Sequence, residues 1–276
     1  MTLDRYPGAA LITGASSGLG EVFAHRLAEA GKDLVVVARR REKLETLATT
    51  LQDAHGVRVL VVAEDLSKPG ASQRIRSAVD AANLSIGLLI NNAGFGRFEP
   101  FEAAPAGVNG DMVRVNCVAP GELTQAFVPD MLAQGRGCLV FIASTASFLP
   151  TPWMSVYGAT KAFDLLLAEA LYAEYQNRGV DVLAVCPGVT ETGFQDVAGV
   201  DATPPGPMVA TAEDVVDASL KRLHKGPSFV HGWANQPTAL LPRFFPRKLI
   251  ARVAGNAIRR VSDKLKELPE PSEHDS

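Results

Sequence analysis

The chain has 276 residues, 47% hydrophobic, 21% charged and 7% aromatic, enough to bury the core of one large α/β domain. Its 27 Lys and Arg against 30 Asp and Glu leave a net charge of −3, so no global positive field exists to hold nucleic acid or an anionic membrane. These figures exclude disordered, collagen-like, disulfide-stapled and integral membrane classes.

The start, MTLDRYPGAALITGASSG, has no room for a charged region, an uninterrupted apolar stretch and a cleavage site, so a cytoplasmic protein is expected. AALIT (9–13) reads as the first strand. It runs into Gly14-Ala-Ser-Ser-Gly18-Leu-Gly20 and a helix over 18–30. Glycines in such a turn let a pyrophosphate approach the first helical N–H groups and the positive end of the helix dipole. A glycine triplet alone is weak evidence, and the buried strand before it and the amphipathic helix after it give it meaning.

DLVVVA (33–38) is the second strand and ends at Ala38-Arg39-Arg40. At that place a carboxylate would take the ribose 2′-hydroxyl of NAD, whereas a guanidinium suits the 2′-phosphate of NADP. No acid precedes Glu42, so NADP(H) is expected in preference to NAD(H). Arg39 and Arg40 also read as a solvated helix start, although cations near a helix N-terminus are mildly unfavourable. A helix over 41–55 and the strand VRVLVVA (57–63) follow. Asp65 then either accepts from an adenine amino group or caps the next helix, 69–82.

LLIN (88–91), a helix over about 106–132, CLVFIAS (138–144), a helix over 154–178, VDVLAVC (180–186) and the short SFV (228–230) complete the pattern. Nearly continuous apolar strands alternating with helices imply a Rossmann-like, doubly wound parallel sheet of six or seven strands flanked by helices. Ser144 falls at the carboxyl edge of the sheet, where such folds hold ligands, and its hydroxyl could hydrogen-bond a carbonyl. Tyr157 and Lys161 lie one helical turn apart on one face. An ammonium beside a phenol favours the phenolate and makes tyrosine a usable acid and base near neutrality. Taken singly, each of these residues also has an ordinary surface or strand-end reading.

The Gly-, Pro- and Thr-rich segment from Pro187 to about Ala210, with Phe194, Val197, Val200 and Met208, is where a lid over a crevice would sit. No linker or repeat appears, so residues 1–235 are expected to form one catalytic domain, with 236–276 as a C-terminal helical extension and polar tail. In that extension Leu249, Ile250, Val253, Ala254, Ala257, Ile258, Val261 and Leu265 recur at helical spacing, and 242–262 carries six basic residues and no acid. Packing over the subunit or substrate entrance, a membrane-surface contact and docking of an acidic carrier protein remain as three readings. Cys117, Cys138 and Cys186 lie too far apart in sequence for a zinc or redox motif, and the five histidines show no metal spacing, so no metal is expected.

With TGASSGLG at 13–20, NNAG at 91–94, Asn116 in VRVNCVAPG, Ser144 thirteen residues before Tyr157-x-x-x-Lys161, and Pro187-Gly188, the chain resembles the short-chain dehydrogenase/reductase family over about residues 8–235. The resemblance implies that Tyr157 is the acid/base, that Lys161 assists it and binds the nicotinamide ribose, and that Ser144 polarises the carbonyl. Asn116 would hold a water that relays protons to Lys161. Cofactor contacts are implied at Gly14, Ser16, Ser17, Gly18, Leu19 and Gly20, at Arg39, Arg40, Asp65 and Leu66, at Asn91, Ala93 and Gly94, and at Pro187, Gly188, Thr190 and Thr192. Thr190 stands where many members carry Val or Ile. Phe95, Phe148, Leu149, Trp153 and Phe194, with Ser144, would line an apolar substrate pocket.

The implied function is NADP-dependent oxidation or reduction of a small-molecule alcohol or carbonyl, such as a 3-oxoacyl, steroid or xenobiotic ketone. A homodimer or homotetramer is expected through helices 106–132 and 154–178, which offer Val118, Leu123, Phe127, Leu166, Ala170 and Ala173. Two alternatives stand beside this. An extended-family epimerase would space its glycines differently, and a silent NADP sensor or scaffold would be expected to lose Tyr or Lys.

Overall fold

The computed structural model describes residues 2–192, 194, 198 and 209–261. Seven strands form one parallel sheet: β1 (Ala9–Thr13), β2 (Leu34–Ala38), β3 (Val59–Ala63), β4 (Ile86–Asn91), β5 (Gly137–Ile142), β6 (Val180–Cys186) and β9 (Ser228–Val230). Their order is β3-β2-β1-β4-β5-β6-β9, so the SFV segment is the seventh, edge strand. Strand order reverses between β1 and β4, and the carboxyl ends of these two strands open the crevice where a doubly wound sheet binds its ligand.

Alternate residues of each strand enter opposite cores, which is why the strands read as unbroken apolar runs. Ala10 and Ile12 face α1 (Gly18–Glu29), α2 (Arg41–His55) and α7 (Ala212–Leu220), packing on Phe23, Leu44 and Val216. Ala9 and Leu11 face α3 (Ala71–Ala81), α5 (Ala119–Gln134) and α6 (Ser155–Tyr175), packing on Ile75, Phe127 and Leu165.

The helix expected over 106–132 is broken in two. A short α4 (Val108–Val113) passes through a π-type turn at Arg114–Val118 before α5 begins, and Asn116 lies fully buried in that turn. A π turn swells the helix by one residue and re-aims the side chains there, and such turns frequently mark functional sites. Leu123 and Phe127 belong to the core and not to a free face, whereas Val118, Leu166, Ala170 and Ala173 are exposed.

In the Pro187–Ala210 segment, β7 (Val189–Glu191) pairs in parallel with β8 (Val209–Thr211). Val197, Val200 and Met208 lie outside the described residues. The extension folds into α8 (Gln236–Leu240) and α9 (Arg247–Val261). The apolar stripe of α9 is divided: Ala254 is buried and Ile250 and Ile258 are half-buried, while Leu249, Val253 and Ala257 are exposed. Leu265 and the polar tail fall outside the described residues.

Candidate active site

Three polar loops converge at the carboxyl ends of β1, β4 and β5. Between β1 and α1, Gly14 has φ +70°, and a Cβ on Gly20 would lie 2.4 Å from the Gly14 carbonyl oxygen. Only glycine permits this closure. The N-cap residue Ser17 makes no side-chain cap bond, so the first amides of α1 keep their donors for an anionic ligand. Thr13 Oγ1 accepts from the backbone N–H groups of Asn92 and Ala93, at 3.0 and 2.9 Å. Asn92 Nδ2 donates back to the Thr13 carbonyl at 2.8 Å. The glycine loop and the NNAG loop are thereby one rigid unit, a role for Thr13 and Asn92 that sequence reasoning missed.

The Arg40 guanidinium donates to the Ser16 carbonyl, Ser16 Oγ and Ser17 Oγ at 3.3, 3.0 and 3.1 Å. It braces the loop, and Arg39 stands exposed beside it. Asp65 Oδ1 accepts from the Ser67 N–H and hydroxyl, at 3.0 and 2.8 Å. Burial pushes the Asp65 carboxyl up, but the Ser67 bonds with Lys68 and Arg39 outweigh it and hold the group below the usual aspartate range. Asp65 closes its own turn and is not the N-cap of α3, which is Gly70. Leu19 packs on the core of α1 and Leu66 on the opposite one.

Asn91 is turned into the protein, where Nδ2 donates to Thr124 Oγ1 on α5 at 3.3 Å and Oδ1 is buried without a partner. Its side chain fastens β4 to α5, so any contact with a cofactor falls to the backbone. On the other rim, a Cβ on Gly18 would lie 3.3 Å from the Thr192 side chain, which places Thr192 over the glycine loop. Pro187 accepts from the Thr145 N–H at 2.9 Å, and Thr190 donates to the Gly188 carbonyl at 3.2 Å. The open cradle, uncapped helix start and adjacent guanidinium fit a dinucleotide with a 2′-phosphate.

The acid/base candidates gather at Gly94 and Gly96. A Cβ at Gly94 would meet Asn116 Oδ1 at 3.3 Å and Lys161 Nζ at 3.4 Å, and one at Gly96 would meet the rings of Tyr157 and Phe194 at 2.9 Å. Asn116 Nδ2 donates to the Phe95 carbonyl and Thr160 Oγ1, both at 2.9 Å, and Oδ1 accepts from the Phe95 N–H at 3.1 Å. Both N–H bonds of the amide are therefore engaged, so a relay water can be held only at Oδ1 or at the backbone. Thr160 in turn donates to the Tyr157 carbonyl at 2.7 Å.

Ser144 Oγ caps the 3-10 turn Thr145–Phe148, accepting from the Ala146 N–H at 3.1 Å. Its own N–H donates to Ser147 Oγ, which donates to the Lys161 carbonyl at 2.7 Å. Ser147 thus ties the strand end to α6. Lys161 Nζ donates to the Ile142 carbonyl at 2.6 Å and to Asp164 Oδ2 at 3.0 Å, a buried carboxylate that sequence reasoning also missed.

Phe194 stacks tilted on Tyr157, with ring centroids 5.2 Å apart. Phe95, Phe148, Leu149 and Trp153 are each half-buried in the neighbouring loops. Trp153 takes φ +61°, a strained value for a bulky residue that is common where a loop is shaped for a ligand. Its carbonyl is held by the Glu99 N–H at 2.9 Å, and Gly255 of α9 rests beside its ring. The extension therefore packs on the Pro152–Trp153 loop.

Residues 8–201 match the family model described as short chain dehydrogenase. Over 237 residues the chain is 31% identical to a 7beta-hydroxysteroid dehydrogenase of Collinsella aerofaciens, covering 84% of this chain and 89% of that protein. It is 32% identical over 220 residues to a very-long-chain 3-oxoacyl-CoA reductase of Pyrenophora tritici-repentis, covering 78% and 62%. Among solved structures, a short-chain dehydrogenase from Sphingobium yanoikuyae in complex with NADPH superposes with a TM-score of 0.75 at 32% identity, covering 98% of this chain and 99% of that one.

Proposed function

The chain belongs to the short-chain dehydrogenase/reductase family, and we propose that this oxidoreductase uses NADP(H) in preference to NAD(H) to interconvert a bulky apolar ketone and its alcohol. The observation that supports the reading is the meeting of Asn116 and Lys161 at Gly94 and of Tyr157 and Phe194 at Gly96, with Ser144 joined to the Lys161 turn through Ser147, beside a cradle that only glycines leave open. When bound, the cofactor supplies or accepts the hydride. Tyr157 gives its proton to the carbonyl oxygen in reduction and withdraws it in oxidation. Ser144 Oγ donates to the same oxygen, Lys161 stabilises the phenolate and Asn116 fixes the geometry through Phe95 and Thr160.

Arg39, exposed at the end of β2, is the ligand proposed for the 2′-phosphate, with Arg40 bracing the loop beneath it. Phe95, Phe148, Leu149, Trp153 and Phe194 form the apolar walls, which suit a steroid or long acyl ketone such as those named for the two relatives. Absorbance at 340 nm with NADPH and a panel of steroid, 3-oxoacyl and xenobiotic ketones tests this. Oxidation of NADPH by one or more bulky ketones is expected, and inertness toward every member would overturn it.

We also propose that residues 1–235 form one catalytic unit, working in the cytoplasm as a dimer or tetramer, with the helices of the extension, Gln236–Leu240 and Arg247–Val261, closing the substrate side. A peripheral membrane contact is the second reading. No Asp or Glu occurs between Asp217 and Asp263, and Trp233 and Phe244 are 81% and 78% exposed along that basic stretch. Among the described residues no helix is long and apolar enough to cross a membrane. Sedimentation with anionic but not zwitterionic vesicles, lost on Phe244→Ser, is the outcome that supports this contact.

A further inference from the structure

Helix α6 sends its buried side toward the sheet through Lys161, Asp164, Leu165 and Ala168, the three-and-four spacing of an ordinary apolar stripe. Two of these four positions hold opposite charges. The side chains of Lys161 and Asp164 are only 6% and 4% exposed, and their ion pair spans 3.0 Å. Replacing a buried pair by apolar side chains of similar volume is often neutral or stabilising, so stability alone gives little reason for one here. Asp164 Oδ1 is moreover buried without a partner, a cost that better-packed apolar residues would avoid.

The ammonium sits at the foot of the Gly94 turn, and the Ile142 carbonyl and Asp164 Oδ2 take two of its three N–H bonds. We infer that Asp164 is a positioning residue for the proton step, a fixed counter-charge that anchors the Lys161 ammonium beside Tyr157 in a place closed to water. The inference rests on the roles assigned above to Tyr157 and Lys161. The ionisable groups facing the pair are Tyr157 on α6, Cys117 in the π turn and Cys186 at the end of β6.

Electrostatics agree with the geometry. Burial opposes charge on Lys161, yet Asp164, then Tyr157, outweigh it and hold the ammonium above the ordinary lysine range. Burial likewise raises the Asp164 carboxyl, which Lys161 only partly offsets. Burial lifts the Cys117 thiol to about 11 and the Cys186 thiol to about 12, which leaves both uncharged near neutrality. Asp164 is therefore the anion on which the lysine depends. Without it, desolvation would act on Lys161 unopposed by a carboxylate, and the amine would shed its proton at lower pH.

A melting cycle with Lys161→Met, Asp164→Asn and the double variant tests the pair without reference to activity. Lys161→Met leaves a buried carboxylate without its cation and should lower Tm by on the order of 10 °C at pH 8. The deficit should shrink toward pH 5, because the orphaned carboxyl, with its folded-state pKa raised, becomes protonated there. Adding Asp164→Asn should restore most of the loss and abolish its pH dependence. In the catalytic arm, Asp164→Asn should bring a falling alkaline limb into the pH profile of alcohol oxidation by NADP, with the midpoint about 1 to 3 pH units below any seen in the parent.

Melting losses that simply add, or an Asp164→Asn profile that is only the parent curve scaled down, would overturn the inference. If Asp164→Asn alone does not fold, folding of the double variant still supports the pairing and failure of both refutes it. Should Tyr157→Phe remain active, the catalytic assignment fails while the melting cycle still reads the pair.

Discussion

A single oxygen separates Tyr157 from phenylalanine, and the surroundings show why removing it isolates the chemistry. The ring is held against Phe194 and Gly96, contacts that Phe would keep, while the hydroxyl is the only proton source the ring offers. Tyr157→Phe should therefore reduce turnover at least about 100-fold with NADPH affinity nearly unchanged, since a positioned acid or base contributes roughly 10² to 10⁴. Single-turnover kinetics beside a fluorescence titration checks both halves, and retained turnover would remove Tyr157 from the proton step. Arg39 is the second residue with an isolable role. A charge-assisted bond to phosphate is worth about 1.5 to 3 kcal/mol, so the parent should favour NADP over NAD ten- to hundredfold and Arg39→Asp should erase that preference. Equal affinities in the parent would sink the assignment. Tyr157, Lys161, Ser144 and Asn116 are legible in the sequence because each sits at a fixed spacing in a motif. Asp164 and Ser147 belong to no such motif, and although Thr13 and Asn92 fall inside quoted motifs, their joining of the two loops is visible only in what they touch. The one available hint was a lone carboxylate inside the apolar run Ala162-Phe163-Asp164-Leu165-Leu166-Leu167.

Among the elements, the strands were the most legible, since burial on both faces forces continuous Val, Leu and Ile, and even the three-residue edge strand Ser228–Val230 falls where its pattern puts it. The π turn at Arg114–Val118 was invisible, because it leaves the helical periodicity almost intact while shifting the face on which Asn116 lies. The pairing of Val189–Glu191 with Val209–Thr211 was also missed, for neither short segment has a strand's apolar run. The glycine loop makes the element scale testable by contrast. Gly20→Ala would drive a Cβ to 2.4 Å from the Gly14 carbonyl and 2.6 Å from Asn92 Nδ2, breaking the join between the two cofactor loops. NADPH affinity should fall at least about tenfold, because misplacing a preorganised phosphate cradle forfeits one or more charge-assisted bonds. In helix α5, Gly121 has nothing within 4 Å of where its Cβ would be, and Gly121→Ala should stabilise the protein by about 0.5 to 1 kcal/mol. Denaturant melts and cofactor titration on both variants give the comparison. A Gly20→Ala protein that binds NADPH normally would show that the loop tolerates what its geometry forbids.

At the scale of the whole molecule, α6 has two sides with different obligations. One carries Lys161, Asp164, Leu165 and Ala168 into the protein, and the other presents Phe163, Leu166, Ala170 and Ala173 to solvent at intervals of three and four. Leu166 is 64% exposed, and Val113 and Val118, on the neighbouring α4 and π turn, are 41% and 45% exposed. An apolar face of this kind on a helix that also bears the acid/base pair is a liability in isolation and a natural isologous contact, since the same patch on a second copy can cover it. Light scattering at micromolar concentration should then give an even multiple of the 29.3 kDa chain mass. Leu166→Glu would set a carboxylate against its symmetry mate inside that contact, and should weaken association roughly a hundredfold or more. The dependence of Tm on protein concentration, expected for a fold stabilised by association, should vanish with it. Because Leu166 points away from Lys161, catalysis by any remaining dimer at high concentration should be unchanged. A parent protein that scatters as a 29.3 kDa particle throughout the micromolar range would leave this face without a symmetric partner and refute the assembly.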